Sequence, residues 1–201
     1  MQLTAHELTH HFNNQMVFEE VSFQLNNGDS LLLTGSNGSG KSTLLRILAG
    51  QLQPSKGEVK LYKGKMAIPP ALFYRHLSWM SPGIELYTDL SLFQALKLHF
   101  SFKKLSLSGF EEFLSLVQLD SHRNKSLKQL SSGMLNRFRF GLAIFSESDY
   151  LLLDETTANM DDTNTALIHD LIRRYKKDRI LIYASNKKEE YSLFKKRLNL
   201  G

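Results

Sequence analysis

The chain contains no cysteine, and none of its apolar runs is long. The lack of cysteine excludes disulfide bridges and thiolate metal sites, and it agrees with a reducing, cytoplasmic compartment. A membrane-spanning helix needs about 20 mostly apolar residues, and no run approaches that length. The first residues, Met1 to Glu7, lack the basic and then apolar character of a signal peptide. Any association with a membrane is therefore expected to go through another subunit or the membrane surface.

Nucleic-acid motifs are also missing, although the chain carries a formal net charge of +5. Basic residues gather late in the sequence, as in Arg173-Arg174, Lys176-Lys177 and Lys195-Lys196-Arg197. A nucleic-acid-binding face would combine such residues with stacking aromatics in a recognisable motif. These groups are interpreted as solvated helix faces, and no nucleic-acid partner is expected.

Strand-like and helix-like patterns alternate along the 201 residues, which predicts a single α/β domain. Residues 31–34, 150–153 and 179–184 are apolar runs typical of buried parallel strands. No internal repeat or flexible linker interrupts them.

The middle of the chain is predicted to be helical. Capping-box spacing occurs twice there, in Ser91-Leu92-Phe93-Gln94 and in Ser108-Gly109-Phe110-Glu111. We expect a helical subdomain over about residues 87–130, inserted into a core formed by about 1–86 and 131–201.

A glycine-rich stretch after the first buried strand fits the P-loop pattern G-x-x-x-x-G-K-[ST] at every fixed position. Its residues are Gly35, Ser36, Asn37, Gly38, Ser39, Gly40, Lys41, Ser42 and Thr43. Backbone N–H groups in such a loop, and at the start of the helix that follows, bind nucleotide phosphates. Lys41 is expected to reach the β- and γ-phosphates, and the Ser42 hydroxyl to ligate Mg²⁺. A simple turn would not require Lys-Ser after the last glycine.

A second acidic motif follows the apolar run 151–153, where Asp154 and Glu155 come at the end of a predicted strand. Ligands of open α/β sheets bind at the carboxyl ends of strands. Asp154 is expected to hold Mg²⁺ through water, and Glu155 to orient and deprotonate the attacking water. An apolar run that ends in Asp-Glu is weak evidence alone, but the P-loop upstream makes it strong.

The stretch Leu130-Ser131-Ser132-Gly133-Met134 lies between these motifs. With this stretch, the chain resembles the ATP-binding subunit of an ABC transporter over about residues 1–190. The resemblance rests on the order of the motifs, which is P-loop, helical insertion, signature, acidic strand end and D-loop. The family signature is Leu-Ser-Gly-Gly-Gln, so Ser131 and Gly133 match while Ser132 and Met134 do not. The resemblance implies a P-loop NTPase core of the ABC type, a mixed sheet flanked by helices with an inserted helical subdomain.

Other family positions are implied residue by residue. Phe12 stands where the family places an aromatic that stacks on adenine, although a core strand aromatic is an alternative. Asp161 matches the last residue of the D-loop at the subunit interface. Ser81 falls near the Q-loop glutamine and would reach Mg²⁺ through water, and Asn186 replaces the switch histidine. Asparagine can donate to a γ-phosphate but cannot carry a proton, so these departures predict slow hydrolysis.

The resemblance implies an ATPase with ATP and Mg²⁺ as cofactors, which powers transport by nucleotide-driven closure and opening of a dimer. The second ABC ATPase subunit would be identical or related, and a separate membrane-spanning permease would hold the pair at the inner face of the membrane. Pro82-Gly83-Ile84 and the short length are similar to haem-exporter ATPases. A soluble non-transport ABC ATPase, and a degenerate cassette that binds ATP with weak hydrolysis, stay open as alternatives.

Overall fold

The computed structural model describes residues 1–13, 15–158 and 160–201. The strands are β1 (Gln2–Phe12), β2 (Gln15–Asn26), β3 (Ser30–Thr34), β4 (Lys56–Lys63), β5 (Met66–Ile68), β6 (Leu77–Met80), β7 (Tyr150–Asp154), β8 (Ile180–Ala184) and β9 (Lys196–Asn199). The α-helices are α1 (Lys41–Leu48), α2 (Leu92–Phe102), α3 (Phe110–Leu116), α4 (Ser132–Ile144) and α5 (Asp162–Tyr175). The predicted α/β composition is therefore confirmed.

The chain forms two compact units. The first consists of residues 1–77, 148–155 and 178–201, and the second of residues 78–147 and 156–177. No helix among the described residues has the length and apolar character needed to cross a bilayer.

Four strands of the first unit, β7, β8, β3 and β9, lie side by side in that order and are all parallel. The sequences of β3, β7 and β8 are apolar on both faces, as expected for strands covered from both sides. Strand β9 is different, because it is Lys-Arg-Leu-Asn and mostly exposed. Leu31 to Leu33 and Tyr150 to Leu153 are all buried. Helix α1 contributes Leu44, Leu45 and Leu48 to the buried core of the same unit.

A second sheet of the first unit is antiparallel and has the order β2-β1-β4-β5. Strand β1 pairs with its neighbours on both sides and shows register shifts between Ala5 and His11. Such irregularities re-aim side chains locally. They fall directly before Phe12, the last residue of β1.

The second unit is mainly helical, and its helix starts test the two capping-box predictions. Ser91 caps α2, and the reciprocal Gln94 contact is present, so the first prediction is confirmed. The second prediction is wrong, because α3 has Gly109 as its N-cap residue. The Ser108 hydroxyl and backbone N–H both donate to the Glu112 carboxylate instead of the Glu111 carboxylate.

Aromatic packing forms the core of the second unit. Phe113 of α3 makes edge-to-face contacts with Phe138 and Phe145, with ring centroids 5.9 and 5.4 Å apart. Gly141 of α4 lets α3 approach closely, because a Cβ atom there would lie 2.6 Å from the Phe113 ring. The single missing side chain thus allows the two helices to pack.

His99 of α2 is half-buried, and its surroundings predict a pH-dependent stability. Its Nε2 lies 2.9 Å from the Ser146 hydroxyl, which donates to the Leu142 carbonyl at 2.6 Å. Burial, assisted by the charge of Lys103, lowers the pKa of His99 from 6.5 to about 4. Between these pH values, His99 therefore binds a proton in the unfolded chain but stays neutral in the folded chain.

We expect the free energy of unfolding to fall as the pH drops from about 6.5 to about 4, by at most about 3 kcal/mol from this group. Urea unfolding at a series of pH values measures the effect. A His99→Gln variant keeps an N–H donor for Ser146 but does not titrate there, so its stability should depend less steeply on pH. Equal pH slopes for the two proteins would contradict the assignment.

Candidate nucleotide site

Three loops of the first unit meet the same edge of the parallel strands. The P-loop follows β3. Asp154 is the last residue of β7, and Glu155 comes directly after it. Asn186 follows β8. Strand β8 lies between the other two, with Leu33 and Asp154 both in register with Ala184. Because the strands are parallel, their carboxyl ends bring the phosphate-binding and acidic motifs to one edge.

The P-loop depends on glycine at Gly40, the N-cap residue of α1. Its backbone is left-handed, with φ of +93°, which side-chain-bearing residues rarely adopt. A Cβ atom there would also lie 2.5 Å from Val17 and 3.0 Å from Phe18, both on β2. The loop therefore packs directly on the antiparallel sheet.

Lys41 begins α1, and its side chain is held inside the loop. It is 5% exposed, and its ammonium group donates to the carbonyls of Gly35 and Ser36 at 2.9 Å each. An ammonium group has three N–H donors, so one is available to a phosphate oxygen. The geometry thus places a positive charge beside the loop N–H groups.

A cavity of about 370 Å³ lies against the P-loop. It is lined by Phe12, Gln15, Met16, Val17, Asn37, Gly38, Gly40, Lys41, Ser42, Thr43 and Glu155. Phe12 is 49% exposed on this cavity, so it is not a core residue. The two motifs predicted to bind phosphates and to activate water therefore line one space together with an exposed aromatic ring.

Asp154 and Glu155 differ in their surroundings. Asp154 is 2% exposed at the end of β7, whereas Glu155 is half-buried and lines the cavity. The Glu155 backbone is left-handed, with φ of +48°, and its N–H donates to the Ala184 carbonyl at 3.0 Å. Such a conformation is uncommon for a residue with a side chain, and strain of this kind clusters at functional sites.

Asn186 contacts the P-loop directly. Its side-chain amide donates to the side-chain oxygen of Asn37 at 3.1 Å. The residue at the switch-histidine position and a residue of the phosphate loop are thus joined by a single hydrogen bond. Both side chains are neutral amides, and neither can accept a proton from water at ordinary pH.

The donor set fits Mg²⁺ bound with the help of phosphates. Ser42 lies exposed on the first turn of α1 and lines the cavity, and Asp154 supplies a carboxylate at the edge of the same strands. Among the described residues, no cluster of three or more His, Asp or Glu side chains could hold a metal alone. Mg²⁺ in nucleotide sites takes one or two protein oxygens and completes its shell with phosphates and water.

The predicted signature residues lie at the start of α4 in the second unit. Ser131 is the N-cap residue, and its hydroxyl accepts from the Met134 N–H at 3.3 Å. That contact leaves the hydroxyl proton free to be donated. Gly133 is the second residue of the helix, and the space where its Cβ would stand is open.

Two further predicted residues also belong to the second unit. Asp161 is the N-cap residue of α5, and its carboxylate oxygens accept from the Asn164 backbone and side chain at 2.7 and 3.0 Å. Ser81 directly follows β6 and is half-buried. Asn159 of the predicted D-loop lies outside the described residues. The roles of Asp161 and Ser81 stay predictions.

Several contacts of the site were not predicted from the sequence. Val17 and Phe18 pack on Gly40, and the Leu200 carbonyl would lie 2.6 Å from a Cβ atom at Gly35. Met16 and Gln15 join Phe12 on the cavity. Period-two alternation in β2 indicates which of its residues share a face, but not what that face covers.

The first unit contains another cavity, of about 400 Å³, beside the β4-β5 hairpin. Its lining includes Pro69, Pro70 and Phe73 but none of the residues predicted for the nucleotide site. Size alone therefore does not identify the site, whereas the chemistry of the lining does.

Comparisons with known proteins agree with this geometry. A family described as "ABC transporter" matches residues 18–158. The chain is 31% identical to the uncharacterized ABC transporter ATP-binding protein YybJ of Bacillus subtilis, over 91% of this chain and 84% of that protein. It is 30% identical to the cytochrome c biogenesis ATP-binding export protein CcmA of Brucella abortus, over 92% of this chain and 86% of that protein.

A solved structure described as the ATP binding subunit of an ABC transporter superposes with a TM-score of 0.84. The alignment covers 100% of this chain and 86% of that chain, at 21% sequence identity. The likeness shows that the two chains share a fold, and it agrees with the expected P-loop NTPase architecture.

Proposed function

This chain belongs to the ABC transporter family as an ATP-binding domain, and on that premise we propose that it is the ATP-hydrolysing subunit of a transporter. The observation that carries the proposal is the common edge of β7, β8 and β3, with the motifs that follow them. One cavity there is lined by Lys41, Ser42 and Glu155. These groups can bind phosphates, ligate a divalent cation and accept a proton.

Binding of ATP uses three features of the cavity. The loop N–H groups and the N-terminus of α1 attract the phosphates. Lys41 adds a charge-assisted hydrogen bond from the ammonium group that already contacts Gly35 and Ser36. Phe12, half exposed on the cavity, offers a ring on which adenine stacks.

Hydrolysis requires a base and charge stabilisation at the γ-phosphate. Glu155 orients a water molecule and accepts its proton as the water oxygen bonds to the γ-phosphorus and the bond to the bridging oxygen breaks. Lys41 stabilises the charge on the transferred phosphoryl group. Mg²⁺, held by Ser42 and Asp154, would neutralise phosphate charge when bound.

Coupling to transport uses a second ABC ATPase subunit. Ser131 and Gly133 of one protomer donate to the γ-phosphate bound by its partner, so ATP joins the two chains. Loss of the γ-phosphate removes the bridge and lets the chains separate. A membrane-spanning permease uses this motion and holds the pair at the inner face of the membrane.

The proposal is tested by the ATP-dependent association of the chain. Gly133→Asp places a carboxylate in open space in the first turn of α4, where an acidic side chain favours the helix. Gly109→Asp is the matched control, since Gly109 also has open space and begins a helix of the same unit. Light scattering after size-exclusion chromatography, with Mg²⁺ and a non-hydrolysable ATP analogue, measures the mass.

We expect the unmutated chain and Gly109→Asp to dimerise with the analogue and Gly133→Asp to stay monomeric while still binding it. Dimerisation of all three proteins would contradict the role of Gly133. If the unmutated chain binds the analogue and stays monomeric even with its natural companions supplied, nucleotide-driven dimer closure is wrong.

The bond between Asn186 and Asn37 favours one second candidate, a cassette that binds ATP and turns it over weakly. An amide holds the P-loop where the family has a histidine, so a proton-carrying group is missing at that position. Single-turnover hydrolysis separates the candidates. Purification in detergent distinguishes a transporter subunit from a soluble ABC ATPase, because only the transporter subunit co-purifies with a polytopic membrane protein.

A further inference from the structure

His10 of β1 is a buried imidazole beside the nucleotide cavity. It is 5% exposed, and neither ring nitrogen has a hydrogen-bond partner within the described ranges. Its ring meets that of Phe12 edge-on, with centroids 4.6 Å apart and planes at 83°. A polar ring buried in this way costs stability unless its packing compensates. The packing contacts of the His10 ring are with aromatic rings.

The second ring contact of His10 leads towards the phosphate loop. Phe18 of β2 is opposite His10 in the sheet, with ring centroids 6.3 Å apart. The edge of the Phe18 ring would lie 3.0 Å from a Cβ atom at Gly40. His10 thus touches one aromatic that packs on the P-loop and another that is exposed on the cavity.

Phe12 needs support because it ends its strand and is 49% exposed. A side chain in that position would otherwise sample several rotamers, and a ligand that stacks on it would have to order it on binding. The edge-on contact with His10 supports the ring from within the sheet. The part of the ring exposed on the cavity stays available.

We propose that His10 is a positioning residue that holds Phe12 in the orientation in which its ring stacks on the purine base of ATP. The inference rests on the proposed function, in which Phe12 contacts the base. His10 does not touch the nucleotide, and it acts through the ring of Phe12. An aromatic pair of this geometry predicts an effect on ATP affinity of about twofold to tenfold.

The test compares two ligands that share phosphates but differ in the base. ATP and inorganic tripolyphosphate are titrated by calorimetry, each with Mg²⁺, into the full chain and into His10→Ala. We expect ATP affinity to fall about twofold to tenfold and tripolyphosphate affinity to stay unchanged. His10→Phe retains an aromatic ring and should restore ATP affinity. His6→Ala, at an exposed position of the same strand, is the matched control.

A double-mutant cycle with Phe12→Ala shows whether His10 acts through Phe12. In the Phe12→Ala background, the change His10→Ala should have no further effect on ATP affinity. Additive losses from the two changes would overturn the proposal. Equal loss of ATP and tripolyphosphate affinity in His10→Ala would also overturn it, because the effect would then come from the P-loop or from the fold.

Failure of the inference is distinguishable from failure of the proposed function. If Phe12→Ala weakens ATP binding while His10→Ala does not, the base contact stands and the role of His10 is wrong. If Phe12→Ala leaves ATP affinity unchanged, the base contact itself is wrong, and the role of His10 is wrong with it. Thermal unfolding of each variant shows whether His10→Ala folds. If it does not, the ATP affinity of His10→Phe is the test, and a loss of that affinity would contradict the role of the aromatic ring.

Discussion

Glu155→Gln is expected to lower steady-state ATP hydrolysis about a hundredfold or more while leaving Mg-ATP binding intact. Glutamine matches glutamate in size and can adopt the same backbone, with φ of +48° at the tip of β7. It cannot accept a proton from the attacking water. Phosphate release from the purified full chain measures the rate, and calorimetry checks that the nucleotide still binds.

Glu19→Gln is the matched control for this prediction, because Glu19 is exposed on β2 and does not line the cavity. Its hydrolysis rate should equal that of the unmutated chain. Equal rates for Glu155→Gln and the unmutated chain would show that another group is the base. If the unmutated chain binds ATP but does not hydrolyse it even in a single turnover, the degenerate cassette is the correct alternative.

Lys41→Ala is expected to weaken Mg-ATP binding about tenfold to a hundredfold. The change removes the ammonium group that lies 2.9 Å from the Gly35 and Ser36 carbonyls and is presented to the phosphates. Hydrogen bonds from a charged donor to phosphate are stronger than neutral ones, so the loss exceeds that of a single loop N–H. Isothermal calorimetry with Mg-ATP measures the change.

Two further variants separate the charge of Lys41 from its packing. Lys41→Met retains most of the buried side-chain volume and should weaken binding as Lys41→Ala does. Lys65→Ala removes an exposed lysine between β4 and β5 and should bind as the unmutated chain does. Unchanged affinity in Lys41→Met would refute the phosphate role of Lys41, whatever the stability of the alanine variant.

Local patterns predicted local structure well. The capping box at Ser91 was predicted from four consecutive residues, because its hydrogen bonds join close neighbours in the chain. The same reasoning was wrong at Ser108, which bonds Glu112 where Glu111 was expected. The two carboxylates are adjacent in the sequence, so only the actual start of α3 at Phe110 decides between them.

Local sequence patterns did not predict contacts between residues that are distant in the chain. Phe12 was compatible with both a core residue and a cavity residue, because an aromatic at a strand end fits either position. The structure decides between the two positions, because Phe12 is 49% exposed and lines the cavity. His10 carries no sequence signal of this role, since a histidine in a strand is ordinary until its spatial neighbours are known.

The sequence by itself predicted which residues carry the chemistry: a glycine loop ending in Lys-Ser, and an apolar strand ending in Asp-Glu. Their order along the chain predicted a nucleotide site, because those groups are needed together for phosphate binding and hydrolysis. Only the tertiary structure decided that β8 separates the two strands and that Asn186 bonds Asn37. Strand order and ring packing depend on contacts between distant residues, which a one-dimensional pattern does not contain.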